Sequence, residues 1–216
     1  MISKYGYSTV GIISTIVLIL IIISFFIKND IIKISIVIVS LFFLVFTVYF
    51  FRDPDRTSPN SNKVIVSPAD GKILIVKNII DDRFIQGDAV QISIFMSPLN
   101  VHVNRIPIDG TVEYFNYING EYLVAFHDKA DKRNERTEIG IKSKYGKVLF
   151  TQVAGFVARR IVCTLSEGDT VRQGKRFGMI KFGSRVDVVV NPDWKIKVKE
   201  GDVVIAGETI LFEKQI

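Results

Sequence analysis

EGDTVRQG, residues 167–174, returns as EGDVVIAG, residues 200–207, and PADGKI, residues 68–73, returns as PIDGTV, residues 107–112. Two unlike motifs each occur twice, an internal repetition within the body of this chain. Both motifs carry turns. An Asp-Gly pair takes one strand into the next, and its glycine supplies the positive φ that such turns need. Around them the chain runs in short stretches rich in β-branched and aromatic residues, VIVSPADGKILIV, DAVQISIFM, NVHVNRIPI, GTVEYFNYI, GKVLFTQVAG and RIVCTL, punctuated by Gly, Pro, Asn and Asp. No strongly amphipathic helix of about 12 residues stands out between them. The expected body is mainly β.

The pairing of these motifs resembles the barrel-sandwich hybrid of lipoyl and biotinyl carrier domains. Such carriers present a modifiable lysine at a hairpin tip, and neither repeat here offers a Met-Lys-Met or Asp-Lys-Ala tip. An adaptor of the membrane-fusion type would add a long helical hairpin, which is not apparent in the body. A non-enzymatic membrane-anchored carrier or adaptor is the alternative to an enzyme.

Ahead of the body lie two apolar runs, residues 8–27 and 31–51, each long enough at about 1.5 Å per residue to span a hydrocarbon core. A cleaved signal peptide is disfavoured: the first run is too long, no small-residue cleavage site follows, and a second span comes directly after. Only Lys28, Asn29 and Asp30 separate the runs, so the expected arrangement is a transmembrane helical hairpin with both ends on one side. RDPDRTSPNSN, residues 52–62, reads as a linker, and residues 63–216 as the body. Lys4, Lys28, Lys33, Arg52 and Arg56 give little orientation signal. The formal net charge of +6 among 216 residues suits an anionic cytoplasmic leaflet, which places the body on the cytoplasmic side of the cell membrane. The single Cys163 excludes an intramolecular disulfide and reads as a small core residue. Trp194 is a candidate interface anchor. The sequence has no Cys-x-x-Cys, His-Glu-x-x-His, P-loop or dinucleotide fingerprint, so metal and nucleotide chemistry find no support. With two spans present, lipid is a simpler partner for the basic charge than nucleic acid.

KFGSRVD, residues 181–187, places Gly183-Ser184 inside a strand-like run, where glycine weakens packing. A serine hydroxyl can attack the carbonyl of a preceding glycine, which has no side chain to obstruct it, and shift the peptide to an ester. β-Elimination then releases the upstream chain and leaves dehydroalanine, which hydrolyses to a pyruvoyl group. A peptide carbonyl is a poor electrophile, so this demands a strained bond, an oxyanion site and a base. Most Gly-Ser pairs are ordinary turns; the surrounding motifs decide this one.

FFRDPDR (residues 50–56), SPADGKI (67–73), SPLNVHVNRIPIDG (97–110), RNER (133–136), AGFVARRIVC (154–163), GKRFGMIKFGSRVD (174–187) and the closing GDVVIAGETIL together strongly resemble the phosphatidylserine decarboxylase family in its short bacterial and archaeal (type A) form. The resemblance runs over nearly the whole chain after Tyr49. It implies a pyruvoyl-dependent lyase, made as a zymogen, that converts phosphatidylserine to phosphatidylethanolamine and carbon dioxide at the membrane through a Schiff base with the substrate amine. It implies no pyridoxal phosphate and no metal. Ser184 matches the serine that becomes pyruvoyl, with cleavage after Gly183 into a β chain, residues 1–183, and an α chain, residues 184–216, that stay associated. A homo-oligomer is compatible with the sequence.

Asp70 matches the acid that the long form pairs with a histidine to activate the serine, although it also has a plain turn role like that of Asp109. His102 matches a histidine that handles the substrate carboxylate and protons. Period-two alternation in NVHVNR puts His102 and Asn104 on one face and Arg105 on the other. The long form has a second histidine where this chain has Arg105, and arginine cannot act as a general base. His102 or Asp70 itself must therefore activate Ser184. Arg105 and Arg136 are candidates for gripping substrate phosphate or carboxylate, with surface ion pairing as the bland reading of RNER. Arg159 and Arg160 face head groups or flank a strand, and His127 reads as a loop residue.

Overall fold

Asn29 caps the second apolar run, its side chain accepting from the Ile31 and Ile32 amides at 3.0 and 3.2 Å. In the computed structural model, which describes residues 1–59, 61–120, 134–155, 161–181 and 184–214, the two runs form helices α1 (Tyr7–Ser24) and α2 (Asp30–Phe50). At 18 and 21 residues they measure about 27 and 32 Å, the thickness of a hydrocarbon core. Both are long and apolar enough to cross a membrane. Ile12, Ile19, Ile38, Phe42, Phe43 and Val45 stand exposed along them. The chain entering α1 and the chain leaving α2 are tied together: Ser3 N–H donates to the Phe51 carbonyl at 2.8 Å and Asp53 N–H to the Met1 carbonyl at 2.7 Å. Both ends of the hairpin therefore lie on one side, as its short turn requires. These helices belong to the unit Met1–Asp55, and the body is the unit Arg56–Ile216.

The body is mainly β. In chain order its strands are β1 (Val64–Val66), β2 (Gly71–Asp81), β3 (Gly87–Met96), β4 (Val103–Arg105), β5 (Gly110–Ile118), β6 (Arg136–Ser143) and β7 (Gly146–Ala154). There follow β8 (Ile161–Cys163), β9 (Thr170–Val171), β10 (Arg176–Ile180), β11 (Ser184–Val190), β12 (Trp194–Ile196), β13 (Val203–Val204) and β14 (Ile210–Lys214). One curled sheet has the order β13-β2-β3-β11-β7-β6-β5-β9, and two small sheets run β1-β14-β12 and β4-β10-β8.

Those orders are symmetric. Exchanging β1, β2, β3, β11, β12, β13 and β14 with β4, β5, β6, β7, β8, β9 and β10 maps the large sheet onto itself and the small sheets onto each other. The repeated motifs make the same bonds twice. Glu200 Oε1 accepts from the Val76 amide and Glu167 Oε1 from the Phe115 amide, both at 3.1 Å. Asp70 Oδ1 accepts from Ala206 N–H at 2.8 Å and Asp109 Oδ1 from Gln173 N–H at 2.6 Å. The halves also clasp each other, Val66 N–H donating to the Pro107 carbonyl at 3.0 Å and Arg105 N–H to the Pro68 carbonyl at 2.9 Å. Glycine is required where it repeats. A Cβ on Gly71 would strike the Phe95 carbonyl and one on Gly110 the Lys142 carbonyl, while Gly174 and Gly207 hold φ of 74° and 76°.

The halves are nested, not consecutive. One runs unbroken from β4 to β10; the other is interrupted between β3 and β11. Matching bulges, between Ile73 and Ile75 opposite β3 and between Val112 and Tyr114 opposite β6, align Ile94 with Ile141 and so Met96 with Ser143. Ser143 pairs with Gly146 across a tight turn, and Met96 pairs with Ser184. Ser184 thus occupies the position of a hairpin residue whose turn has been replaced by the entire other half.

Period-two alternation puts Ile92, Ile94 and Met96 of β3, Val148 and Phe150 of β7, and Val186, Val188 and Val190 of β11 into one core, closed by an edge-to-face contact of Phe150 with Phe177 at 5.2 Å. Trp194 belongs to this core, buried rather than presented as a lipid anchor. On the opposite face Phe84, Ile85, Ala89, Leu149 and Val189 form a smaller cluster.

Candidate active site

Ser184 opens β11 in the middle of the large sheet, paired with Met96 on one side and Ala154 on the other. It shares the inward parity of Val186 and Val188 and is 0 % exposed. Its hydroxyl donates to Met96 Sδ at 3.3 Å, a weak acceptor that holds the proton loosely. Gly183 lies outside the described residues, as do His127, Arg133, Arg159 and Arg160.

Asn104 reaches the same sulfur. Its Nδ2 lies 3.8 Å from Met96 Sδ and 3.4 Å from the Pro68 carbonyl, and its Oδ1 accepts from Gln152 Nε2 at 2.9 Å. His102, just ahead of β4 and fully buried, accepts the Ile180 amide on its carbonyl at 3.3 Å. Its Nδ1 is 2.9 Å from the Asn100 carbonyl, which can only accept. Nδ1 therefore carries the proton of the neutral ring, and Nε2 is its basic nitrogen. Ser184, Met96, Asn104 and Gln152 make one buried neighbourhood, inward of the sheet.

The other candidates stand elsewhere. Asp70 gives Oδ1 to the Ala206 amide, as Asp109 gives its own to Gln173, and Oδ2 to Arg56 Nη2 at 3.0 Å. That ion pair joins Asp70 to the start of the body, where Arg56 also meets Glu208 at 3.4 Å. Arg105 takes the parity opposite to Asn104, as alternation requires, and donates through Nη1 to the Gly174 carbonyl at 3.0 Å, with its stem against Gly207. It braces the crossing of two equivalent turns. Arg136 lies on the outer sheet face, its Nε 3.2 Å from Glu138 Oε1, in a cleft of about 290 Å³ lined also by Asp81, Arg83, Gln91, Thr151 and Asp187. Ser184 thus lies inward of the large sheet, and Arg136 lies on its outer face.

That outer cleft is a charged network. Asp81 accepts from Arg83 Nε at 2.7 Å and from the Phe84 and Ile85 amides at 3.0 and 2.9 Å. Burial alone pushes its carboxyl up, but the two amides and Arg83 outweigh it and hold it below its ordinary value. Burial likewise pushes Glu138 up, and the Tyr114 hydroxyl with Arg83 and Arg136 brings it below. Carboxyls depressed in the folded state stabilise it fully above the ordinary carboxylate range near pH 4, and the gain is lost as pH falls through the depressed values. The double variant Asp81→Asn, Glu138→Gln is expected to be less stable than the parent at about pH 7 and to lose that difference progressively as pH falls below about 4. Denaturant midpoints across that range measure it.

Cys163 plays no nucleophilic part: burial, together with the nearby Asp169 charge, pushes its thiol up to about 11. No cluster of His, Cys, Asp or Glu among the described residues is arranged to hold a metal. Sequence reasoning placed Asn104 on the His102 face but missed Gln152. Its signal was available: in GKVLFTQVAG, Gln152 takes the inward phase of Val148 and Phe150.

A family model described as phosphatidylserine decarboxylase matches residues 43–212. Among curated proteins, the phosphatidylserine decarboxylase proenzyme of Chlorobium chlorochromatii is 46% identical over 212 residues, 98% of this chain and 99% of that protein. The proenzyme of Chlorobium limicola is 51% identical over 174 residues, 81% of this chain and 82% of its own length. That of Salinibacter ruber is 52% identical over 171 residues, covering 78% and 75%. A match that takes in both nested halves, at such identity, selects the enzyme over a carrier or adaptor: the chain belongs to the phosphatidylserine decarboxylase family.

Proposed function

We propose that the protein is a self-processing decarboxylase of phosphatidylserine, releasing carbon dioxide and leaving phosphatidylethanolamine. The observation that carries this reading is Ser184: fully buried, at the head of a central strand, where one half of the fold resumes after the other. In maturation Oγ attacks the Gly183 carbonyl carbon, the carbon–nitrogen bond of that peptide breaks, and an ester with a free amine results. Loss of the Ser184 α proton expels Gly183 as a carboxylate. One water then replaces nitrogen, which leaves as ammonia, and residue 184 ends as a carbonyl-bearing N-terminus.

The neighbourhood fits such a group. Residue 184 is held by ladder pairing on both sides, so a new N-terminus there keeps its place, and the polar side chains linked to it through Met96, Asn104 and with it Gln152, are neutral amides able to bond a carbonyl oxygen. When formed, the group supplies an electron sink for a substrate amine. The chain's own residues do the rest. His102, with Nε2 as its basic nitrogen, holds and returns a proton at the substrate α carbon, and the buried apolar walls of Met96, Ala154 and Ile180 exclude bulk water. Asp70, ion-paired to Arg56, serves the maturation stage, whereas Arg105, bonded to the Gly174 carbonyl, and Arg136, on the outer sheet face, stand away from Ser184 and are left out of substrate binding.

The hairpin α1–α2 anchors the body to the cytoplasmic membrane, with the body on the cytoplasmic side and the two processed chains remaining together. The test is carbon dioxide release from carboxyl-labelled phosphatidylserine in vesicles by the purified full chain. No release, from protein shown to be cleaved, sinks the reading. Removing residues 1–55, the whole first unit, is expected to leave self-cleavage intact and to cut turnover of vesicle-embedded lipid by about tenfold or more, with most of the rate recovered on detergent-dispersed short-chain substrate. Equal rates of both forms on vesicles would show that the hairpin is no anchor.

A further inference from the structure

Gln152, Asn104 and Ser184 are polar and all three are fully buried, Gln152 and Ser184 at strand positions whose same-parity neighbours are apolar. They form one line. Gln152 Nε2 donates to Asn104 Oδ1 at 2.9 Å, Asn104 Nδ2 faces the Pro68 carbonyl at 3.4 Å and Met96 Sδ at 3.8 Å, and Ser184 Oγ donates to that sulfur at 3.3 Å. The orientation is set from one end. The Pro68 carbonyl can only accept, so Asn104 turns its NH₂ toward it and its Oδ1 toward Gln152, which must then present its own NH₂. Gln152 Oε1 is left buried with no donor. A leucine or methionine at 152 alone would only move that cost to Asn104 Oδ1, but apolar residues at both 104 and 152 would leave nothing unsatisfied, so stability does not explain the amide pair.

The serine end of the line is equally unbalanced. Both bonds of Asn104 Nδ2 are long, and one ends on a thioether, a weak acceptor. When residue 184 changes from hydroxyl to carbonyl, Met96 loses the donor it accepts and an oxygen acceptor appears in its place. Asn104 is then the neighbouring donor with capacity to spare. We propose that Asn104, oriented by Gln152, is the positioning amide of this centre: through Met96 it fixes the Ser184 hydroxyl before cleavage, and after it an Asn104 N–H steadies the oxygen at residue 184. The inference rests on Ser184 being the processed residue. A neutral amide suits the task, because it stabilises an oxygen that gains charge during reaction without pairing permanently with the substrate carboxylate.

Gln152→Met tests this without emptying the core, since it keeps length while withdrawing the donor that orients Asn104. Freshly translated Gln152→Met is expected to cleave at least about tenfold more slowly than the parent under conditions where both are folded, and the cleaved fraction to show a lower kcat at little-changed KM. A merely structural glutamine predicts a lowered denaturant midpoint with the parent's cleavage rate in the folded protein, and that result overturns the proposal. Met96→Leu, which conserves volume, carries the test if Gln152→Met does not fold; cleavage at the parent rate in it also overturns the proposal. Ser184→Ala runs alongside. If it stays whole while the other variants cleave like the parent, the amide line alone is wrong; if it is cut, the reading of Ser184 is wrong.

Discussion

Ser184→Ala is expected to run as one chain on a denaturing gel and to release no carbon dioxide, while the parent runs as two, residues 1–183 and 184–216. The smaller parental piece should resist N-terminal sequencing and react with carbonyl reagents. The loss is expected to be complete within detection, because the substitution removes both the nucleophile of cleavage and the atom from which the reactive carbonyl is made. Under native conditions the parental pieces should migrate together. β11 is paired along its length with β3 and β7, β13 with β2, and β14 with β1, so the short piece supplies interior strands that cannot leave without opening both the large sheet and its core. Val186, Val188 and Val190, all buried, add to that hold. Ser184→Ala also keeps the fold, since it deletes one hydroxyl that donates to a thioether, a weak acceptor. An active parent that remained a single chain would falsify the reading.

The two long apolar helices and the β character of the body were legible because each rests on a local pattern: long unbroken apolar runs, and short β-branched runs bounded by turn formers. The doubled motifs were legible as repeats, and the bonds of Glu167, Glu200, Asp70 and Asp109 explain why those residues repeat. The nesting was not legible. Sequence order gives no sign that β11 completes the half begun by β3, because the residues that correspond, Gly146 onward and Ser184 onward, resemble each other only in alternation. That pairing is decided by hydrogen bonds between strands far apart in the chain. At the site, Ser184 and His102 were identified through the family resemblance, since a Gly-Ser pair and a strand histidine are common. The same repeat logic showed half of what Asp70 does, its turn bond shared with Asp109, but its ion pair with Arg56 has no sequence signal. Arg136 looked like part of an exposed run, whereas β6 turns it toward Glu138 on the outer face.

His102→Ala is expected to mature to two chains at close to the parent rate and then to lose about 10²- to 10⁴-fold in carbon dioxide release, the range for removing a general acid or base. The tautomer carries the argument. With Nδ1 donating to the Asn100 carbonyl, only Nε2 remains for proton transfer, and one nitrogen in a fixed ring cannot be placed both for the Gly183 carbonyl before cleavage and for the substrate α carbon after it. Maturation then falls to Asp70. Asp70→Asn retains an oxygen for the Ala206 amide and so keeps the turn, but it gives up the charge that pairs with Arg56. It is expected to slow cleavage by about tenfold or more and, in the fraction that does mature, to leave turnover near the parent value. A cleavage time course on freshly translated protein, followed by assay of the mature fraction, separates the two stages. Uncleaved precursor accumulating in His102→Ala, with Asp70→Asn cleaving at the parent rate, would reverse both assignments: the imidazole would be the activator of Ser184, and the Asp70 carboxylate would be confined to its turn and its bond with Arg56.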